Sequence, residues 1–275
     1  MEQRLLPRSE NQPNFVPMNW QRIIIVLAFA LALIVGGSTS LAQRVAYSPS
    51  LLSDVAQGGG EREVEERMRS MSLEEQIGQL IIPIIYPSSG ASQMAEAARV
   101  VARCHAGGIL FQKGLLADQR DLTQSLQEAS AVPMLIALDG EWGLYMRLKD
   151  APRYPRSKGL GIKGDMELIK AYGAEVARQC QLMGIHINFA PVVDVNINPK
   201  NPVIGTRSFG DSPELVARCA VAYGQGLEEG GVLSVAKHFP GHGDTSEDSH
   251  KTLPTVSASR ERMQRVELYP FRAYR

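Results

Sequence analysis

From residue 80 onward the chain repeats one texture. A short apolar, β-branched run ends in Gly, Pro or a polar residue, and a stretch with apolar side chains every three to four positions follows it. The runs cover 80–86, 108–111, 133–138, 186–195 and 232–237, and the helix-like stretches cover 93–103, 118–129, 166–183 and 214–229. Strands that are apolar throughout are buried on both faces, and a single helix between consecutive strands makes their connection parallel. Ionisable and polar residues crowd the exits of three successive runs: Asp139 and Glu141, then Asp194 and Asn196, then Lys237 and His238. A barrel keeps its site at such C-terminal strand ends, whereas a doubly wound sheet uses one switch point and a glycine turn after its first strand. The predicted fold class is therefore α/β, a (β/α)8 TIM-barrel type carrying about five or six β/α units. The stretch 159–164, GLGIKG, fits a dinucleotide-binding pattern by letter. It follows Pro152 and Pro155 instead of a strand, so it is read as a loop before the helix at Met166.

The 275 residues carry 29 basic and 29 acidic side chains, a net charge of 29 − 29 = 0, which gives no reason to expect a nucleic-acid partner. Hydrophobic residues at 44% and charged ones at 21% exclude a largely disordered chain. Cys104, Cys180 and Cys219 are too scattered for a disulfide framework or a zinc cluster and read as small buried side chains.

The front end differs from the rest. No charged residue occurs over 23–43; Arg22 precedes the apolar run and a small-residue exit ends at Ser40-Leu41-Ala42. Residues 1–42 are expected to be a secretory signal cleaved after Ala42, with an uncleaved membrane anchor through Ile23 to Leu41 as the competing reading. Either way the folded part is expected outside the cytoplasm, periplasmic or extracellular. Residues 43–60 are polar and small and read as a flexible linker. Ser72 followed by Glu75 reads as a capping box, and the folded domain is expected over 61–275.

The densest chemistry lies in 237–250, KHFPGHGDTSEDSH, which holds three of the five histidines of the chain. Asp248 and His250 are two apart, so on an extended loop their side chains point the same way. A carboxylate beside an imidazole fixes its tautomer and favours its protonated form, which suits a proton donor that later acts as base. A metal site built from His242, Asp244, Asp248 and His250 lacks the usual ligand spacing, and a plain surface loop is the remaining alternative. No metal or organic cofactor is implied.

KHFPGHG followed by DSH resembles the pattern of the glycoside hydrolase family 3 β-N-acetylglucosaminidases (β-N-acetylhexosaminidases). The segments ALDGEWG at 137–143, NFAPVVDV at 188–195, IGTRSFG at 204–210 and ELYPFR at 267–272 extend the resemblance over roughly 61–275. The resemblance implies removal of terminal β-linked N-acetylglucosamine, with retention, from glycans or peptidoglycan fragments. It implies that Asp139, Arg147, Arg207, Lys237 and His238 hold the sugar, that His250 is acid and then base, and that Asp248 orients it. It also implies an aspartate nucleophile on a later strand, yet no Asp follows Asp248. The chain is therefore expected to be the N-terminal part of a longer enzyme and inactive alone. A phosphate-dependent phosphorylase and a noncatalytic sugar-binding remnant are the alternatives, and nothing in the sequence indicates an oligomeric state.

Overall fold

A computed structural model describes residues 60–86, 91–246 and 258–274. The expected signal or anchor, and the linker up to residue 59, lie outside the described residues, as do Asp248 and His250. Among the described residues no helix is long and apolar enough to cross a membrane.

Helix α1 (Glu61–Arg69) carries Glu61 and Glu63 in its first turn and Arg67 and Arg69 in its last, which complements the helix dipole. Helix α2 (Leu73–Gly78) opens with the capping box read from the sequence: Ser72 Oγ accepts from Glu75 N at 3.2 Å, and the Glu75 carboxylate accepts from Ser72 N at 2.8 Å.

The strands β1 (Ile84–Ile85), β2 (Gly108–Phe111), β3 (Leu135–Leu138), β4 (Ile187–Asn188) and β5 (Leu233–Ser234) form one sheet in the order β1-β2-β3-β4-β5. Every pairing is parallel. The crossovers are α3 (Ala91–Cys104), α4 (Leu116–Ala129), the pair α5 (Ser157–Lys163) and α6 (Met166–Leu182), and α7 (Pro213–Glu229). Two short helices, α8 (Arg260–Arg265) and α9 (Tyr269–Ala273), follow β5. Sequential parallel strands with a helical crossover each are the β/α units of a barrel-type fold.

Alternate strand residues serve two cores. Ile109, Phe111, Ile136 and Leu138 pack among the helices, while Leu135, Ala137 and Ile187 pack on the other face with Leu110, Phe189, Leu233 and Val235. Helices α6 and α7 approach almost backbone to backbone. A Cβ on Gly173 would lie 2.2 Å from the Tyr223 carbonyl oxygen, and one on Gly226 would lie 2.1 Å from that of Lys170.

Two sequence expectations need correction. The apolar runs outlast the strands, most clearly over 186–195, where regular pairing covers only Ile187–Asn188. Pro191 has no N–H to give a ladder, and the chain continues through single bonds: Val235 N–H to Ala190 O, Lys237 N–H to Pro191 O and Val193 N–H to Lys237 O. The stretch 159–164 is also not a loop. Residues up to Lys163 belong to α5, and Gly164 ends that helix in the left-handed region at φ 65°. Gly161 is there for packing, because a Cβ would stand 1.7 Å from the Phe209 carbonyl oxygen.

Candidate active site

The exits of β2, β3, β4 and β5 converge at one end of the sheet. Gln112 follows β2, Asp139 and Glu141 follow β3, Asp194 lies beyond β4, and Lys237 and His238 lie beyond β5. The turn after β3 is clamped from the next strand: Asn188 Oδ1 accepts from Gly140 N at 2.8 Å, and Asn188 Nδ2 donates to Gly140 O at 3.1 Å. Tyr223 on α7 donates from below to the carbonyls of Gly140 and Glu141, at 3.3 and 3.2 Å. Asp139 and Glu141 are thus fixed two residues apart and on the same side.

The floor of this mouth is a lattice of opposite charges. Asp139 accepts from Lys237 Nζ at 2.7 Å, from Arg147 Nη2 at 2.7 Å and from Gln112 Nε2 at 3.2 Å. Glu141 takes Arg207 in a bidentate pair, Nη2 to Oε1 at 2.7 Å and Nε to Oε2 at 2.9 Å, and Lys237 Nζ lies 2.9 Å from Oε1. The carboxylate of Asp194 accepts from the His242 backbone N–H at 2.7 Å, from that of His238 at 3.3 Å, and from His238 Nδ1 at 2.6 Å. Burial sorts the network. The side chains of Glu141 and Asp194 are 1% and 0% exposed, whereas Arg147, Arg207 and Lys237 retain 20%, 17% and 14%.

Burial acts first on the Asp139 carboxyl and would raise its pKa. The Lys237 ammonium and then the Arg147 guanidinium outweigh burial and hold it below its ordinary value. Glu141 is depressed in the same way: burial opposes, and the Arg207 hydrogen bonds with the Lys237 charge prevail. Both groups are ionised at neutral pH. His238 is set by its two neighbours. Arg207 Nη2, which can only donate, stands 3.1 Å from His238 Nε2, so that nitrogen accepts and the ring carries its proton on Nδ1 toward Asp194. In this form His238 presents no proton to a ligand.

Spare hydrogen-bonding capacity remains. A carboxylate offers about four acceptor sites, of which Asp139 uses three in the fold. Lys237 spends two donors on carboxylates, and among the described residues Arg147 Nε is buried without a hydrogen-bond partner. A rigid, charged, water-facing arrangement with acceptor and donor valences left over suits a polyol better than an apolar ligand.

Of the residues singled out in the sequence, Asp139, Arg147, Arg207, Lys237 and His238 are brought together here. Glu141 and Asp194 were noted at strand exits but not as site residues, and Gln112 not at all. The i, i+2 spacing of Asp139 and Glu141 was the signal for Glu141; its partner, 66 positions away, was not readable. Among the described residues no group of three or more His, Cys, Asp or Glu is disposed to hold a metal ion. His242 instead packs against Thr245 and lies 9% exposed.

Comparison with known proteins matches the glycosyl hydrolase family 3 N-terminal domain to residues 72–274. Beta-hexosaminidase A of Pseudoalteromonas piscicida is 38% identical over 190 residues, covering 64% of this chain and 32% of its own length. A solved glycoside hydrolase family 3 β-N-acetylglucosaminidase from Paenibacillus sp. str. FPU-7 is 38% identical, with a TM-score of 0.68 over 74% of this chain and 40% of its own. The β-glucoside phosphorylase BglX is 28% identical, with a TM-score of 0.72 over 77% of this chain and 38% of its own. The chain spans less than half the length of each of these three.

Proposed function

The chain belongs to the glycosyl hydrolase family 3 N-terminal domain family, and we propose that its protein removes terminal, non-reducing β-linked N-acetylglucosamine by hydrolysis with retention. The observation that carries this reading is the lattice at the strand exits. It holds Asp139 ionised between Lys237 and Arg147 with one acceptor site unspent. In this reading Asp139 accepts a ring hydroxyl, Arg147, Arg207 and Lys237 donate to neighbouring oxygens, and His238 closes the pocket as a neutral wall. Fixed polar groups around an oxocarbenium-like transition state contribute several kcal/mol. His250, oriented by Asp248, protonates the departing oxygen and then deprotonates the incoming water.

Retention also needs a carboxylate on the opposite face of the anomeric carbon. Asp139, Glu141 and Asp194 are each committed to cations or to backbone and imidazole N–H groups. None of these three described carboxylates is free to attack, so in this reading they bind the sugar and another carboxylate is the nucleophile. The substrates are β-linked N-acetylglucosamine glycans, including peptidoglycan fragments. The apolar segment at 23–41 supports export, as a cleaved signal or an anchor.

Calorimetric titration of N-acetylglucosamine tests the pocket. Saturable binding by the chain, weakened about 10- to 100-fold in Asp139→Asn, is expected for loss of a charge-assisted hydrogen bond. Equal binding by both proteins would remove Asp139 from sugar recognition. The likeness to a β-glucoside phosphorylase favours one second reading, in which phosphate replaces water. Product formation by an active form that depends on added phosphate would select it.

A further inference from the structure

The loop that leaves β5 is held on two sides before the sequence reaches Asp248 and His250, and its glycines permit this. A Cβ on Gly243 would stand 1.8 Å from the Val195 carbonyl oxygen, and one on Gly241, at φ 134°, would stand 2.7 Å from Glu267 Cβ. The stem 241–246 is thus pressed between the chain beyond β4 and the turn joining α8 to α9. Two asparagines beyond β4 take up its polar groups. Asn198 Nδ2 donates toward Asp244 O at 3.3 Å, Thr245 O at 3.2 Å and Ser246 Oγ at 3.0 Å, and the Asn198 backbone N–H donates to Gly243 O at 3.3 Å. Asn201, a buried side chain, donates to His242 O at 2.7 Å, while its Oδ1 accepts from the N–H groups of Val203 and Ile204 at 2.9 and 2.8 Å. Those two residues lead into the turn that carries Arg207, the partner of Glu141. The stem and the floor of the mouth therefore share one support.

The far end of the loop is tied to the near one. Arg262 on α8 donates from Nη2 to Asp244 Oδ2 at 3.1 Å and to Glu267 Oε1 at 2.9 Å. Ser259 Oγ accepts from the Arg262 N–H at 3.2 Å and so caps the helix that carries this guanidinium. Asp244 and Arg262 are 18 positions apart, and in the sequence Asp248 and His250 fall between them. Closing the two ends restricts where everything between them can go. Both members of the pair are 34% exposed, so it adds little to stability, and its consequence is geometric. Among the described residues no hydrogen bond or ion pair joins Asn198 or Arg262 to Asp139, Arg147, Lys237 or His238. An anchor here acts on the placement of the loop and leaves the sugar contacts alone.

We propose that Asn198 and the Asp244–Arg262 pair are positioning residues, which hold the stem so that His250 meets the departing oxygen. The proposal rests on the role given to His250 above. A general acid works only within hydrogen-bond reach of the atom it protonates, and a displacement of about 1 Å caused far from the chemistry costs about 100-fold. Loosening the stem slows proton transfer while the sugar still binds.

Two β-N-acetylglucosaminides with different leaving groups test this in an active form of the protein. The sugar released from chitobiose must be protonated as it leaves, whereas 2,4-dinitrophenolate departs without a proton. Arg262→Gln is expected to lower kcat/KM for chitobiose about 10- to 100-fold and that for the dinitrophenyl glycoside less than about twofold. Asn198→Asp, which keeps the acceptor for the Lys200 N–H and loses the amide donors, should do the same. Arg262→Lys retains the charge facing Asp244 and should recover part of the loss, and calorimetric affinity for N-acetylglucosamine should not change in any of the three. An equal loss on both substrates, or none on chitobiose, would overturn the positioning role. His250→Ala is the reference. A leaving-group-dependent loss there, with none in the stem variants, overturns the stem alone. No such loss in His250→Ala overturns the acid role itself, and the stem proposal with it.

Discussion

Glu141→Gln removes one charge from the most enclosed part of the lattice while keeping the shape of the side chain. The carboxylate is 1% exposed and touches Arg207 twice and Lys237 once, at 2.7 to 2.9 Å. At an effective dielectric of 20 each cation attracts it by about 4 kcal/mol before desolvation. Burial of the carboxylate takes back several kcal/mol, so removing the charge and leaving two cations short of a partner costs about 3 kcal/mol net. For a domain of this size that lowers Tm by roughly 6–12 °C. The sign with pH follows from the depressed pKa of Glu141, set by Arg207 and Lys237 against burial. The stabilisation is complete above the ordinary value of 4.5 and is lost as pH falls through the lower folded value. Urea unfolding of both proteins between pH 7 and pH 3 should give a gap near 3 kcal/mol at pH 7 that closes at the acid end. A gap under about 0.5 kcal/mol at pH 7, the size of an ordinary surface substitution, or one independent of pH, would refute a network held together by this carboxylate.

Gly161→Ala should destabilise by about 1–3 kcal/mol in the same urea assay, since its Cβ would meet the Phe209 carbonyl oxygen at 1.7 Å; a neutral effect would show that α5 can move away. His186 accepts from the Ile136 N–H at 2.9 Å, and burial pushes its pKa down to about 4. The unfolded chain therefore takes up the proton first, and stability should fall by up to roughly 3 kcal/mol as pH drops from 6.5 toward 4, a slope that His186→Gln removes. In an active form of the protein His250→Ala should slow turnover by about 10²–10⁴-fold, and an unchanged rate would take His250 out of the mechanism.

The alternation of textures is enough to place the five described strands and the main helix between each consecutive pair, because buried parallel strands and their covering helices leave different periodicities. It overstated the strands for a physical reason. Apolar runs report burial, and Ala190, Val192, Val193 and Val195 are 0–3% exposed although they lie outside any regular ladder. The stretch 159–164 reads as a loop because it follows Pro152 and Pro155 instead of a strand, but Ser157–Lys163 is helical and Gly161 lets that helix pack closely on Phe209. At the site, residue types at strand exits were legible and pairings were not. Lys237 reaches Asp139 across 98 positions, and only the strand order β3-β4-β5 brings them together. Asp194 is legible as a strand-exit acid, but its role as a fully enclosed acceptor for His238 and His242 is not, because those partners lie 44 and 48 positions away.

A crystal structure of the chain with N-acetylglucosamine tests the central claim most directly. The sugar should lie at the ends of β3, β4 and β5, with a ring hydroxyl donating to Asp139 and its oxygens accepting from Arg147 or Lys237. A sugar ordered elsewhere on the molecule, with only solvent over the Asp139–Lys237 pair, would contradict it.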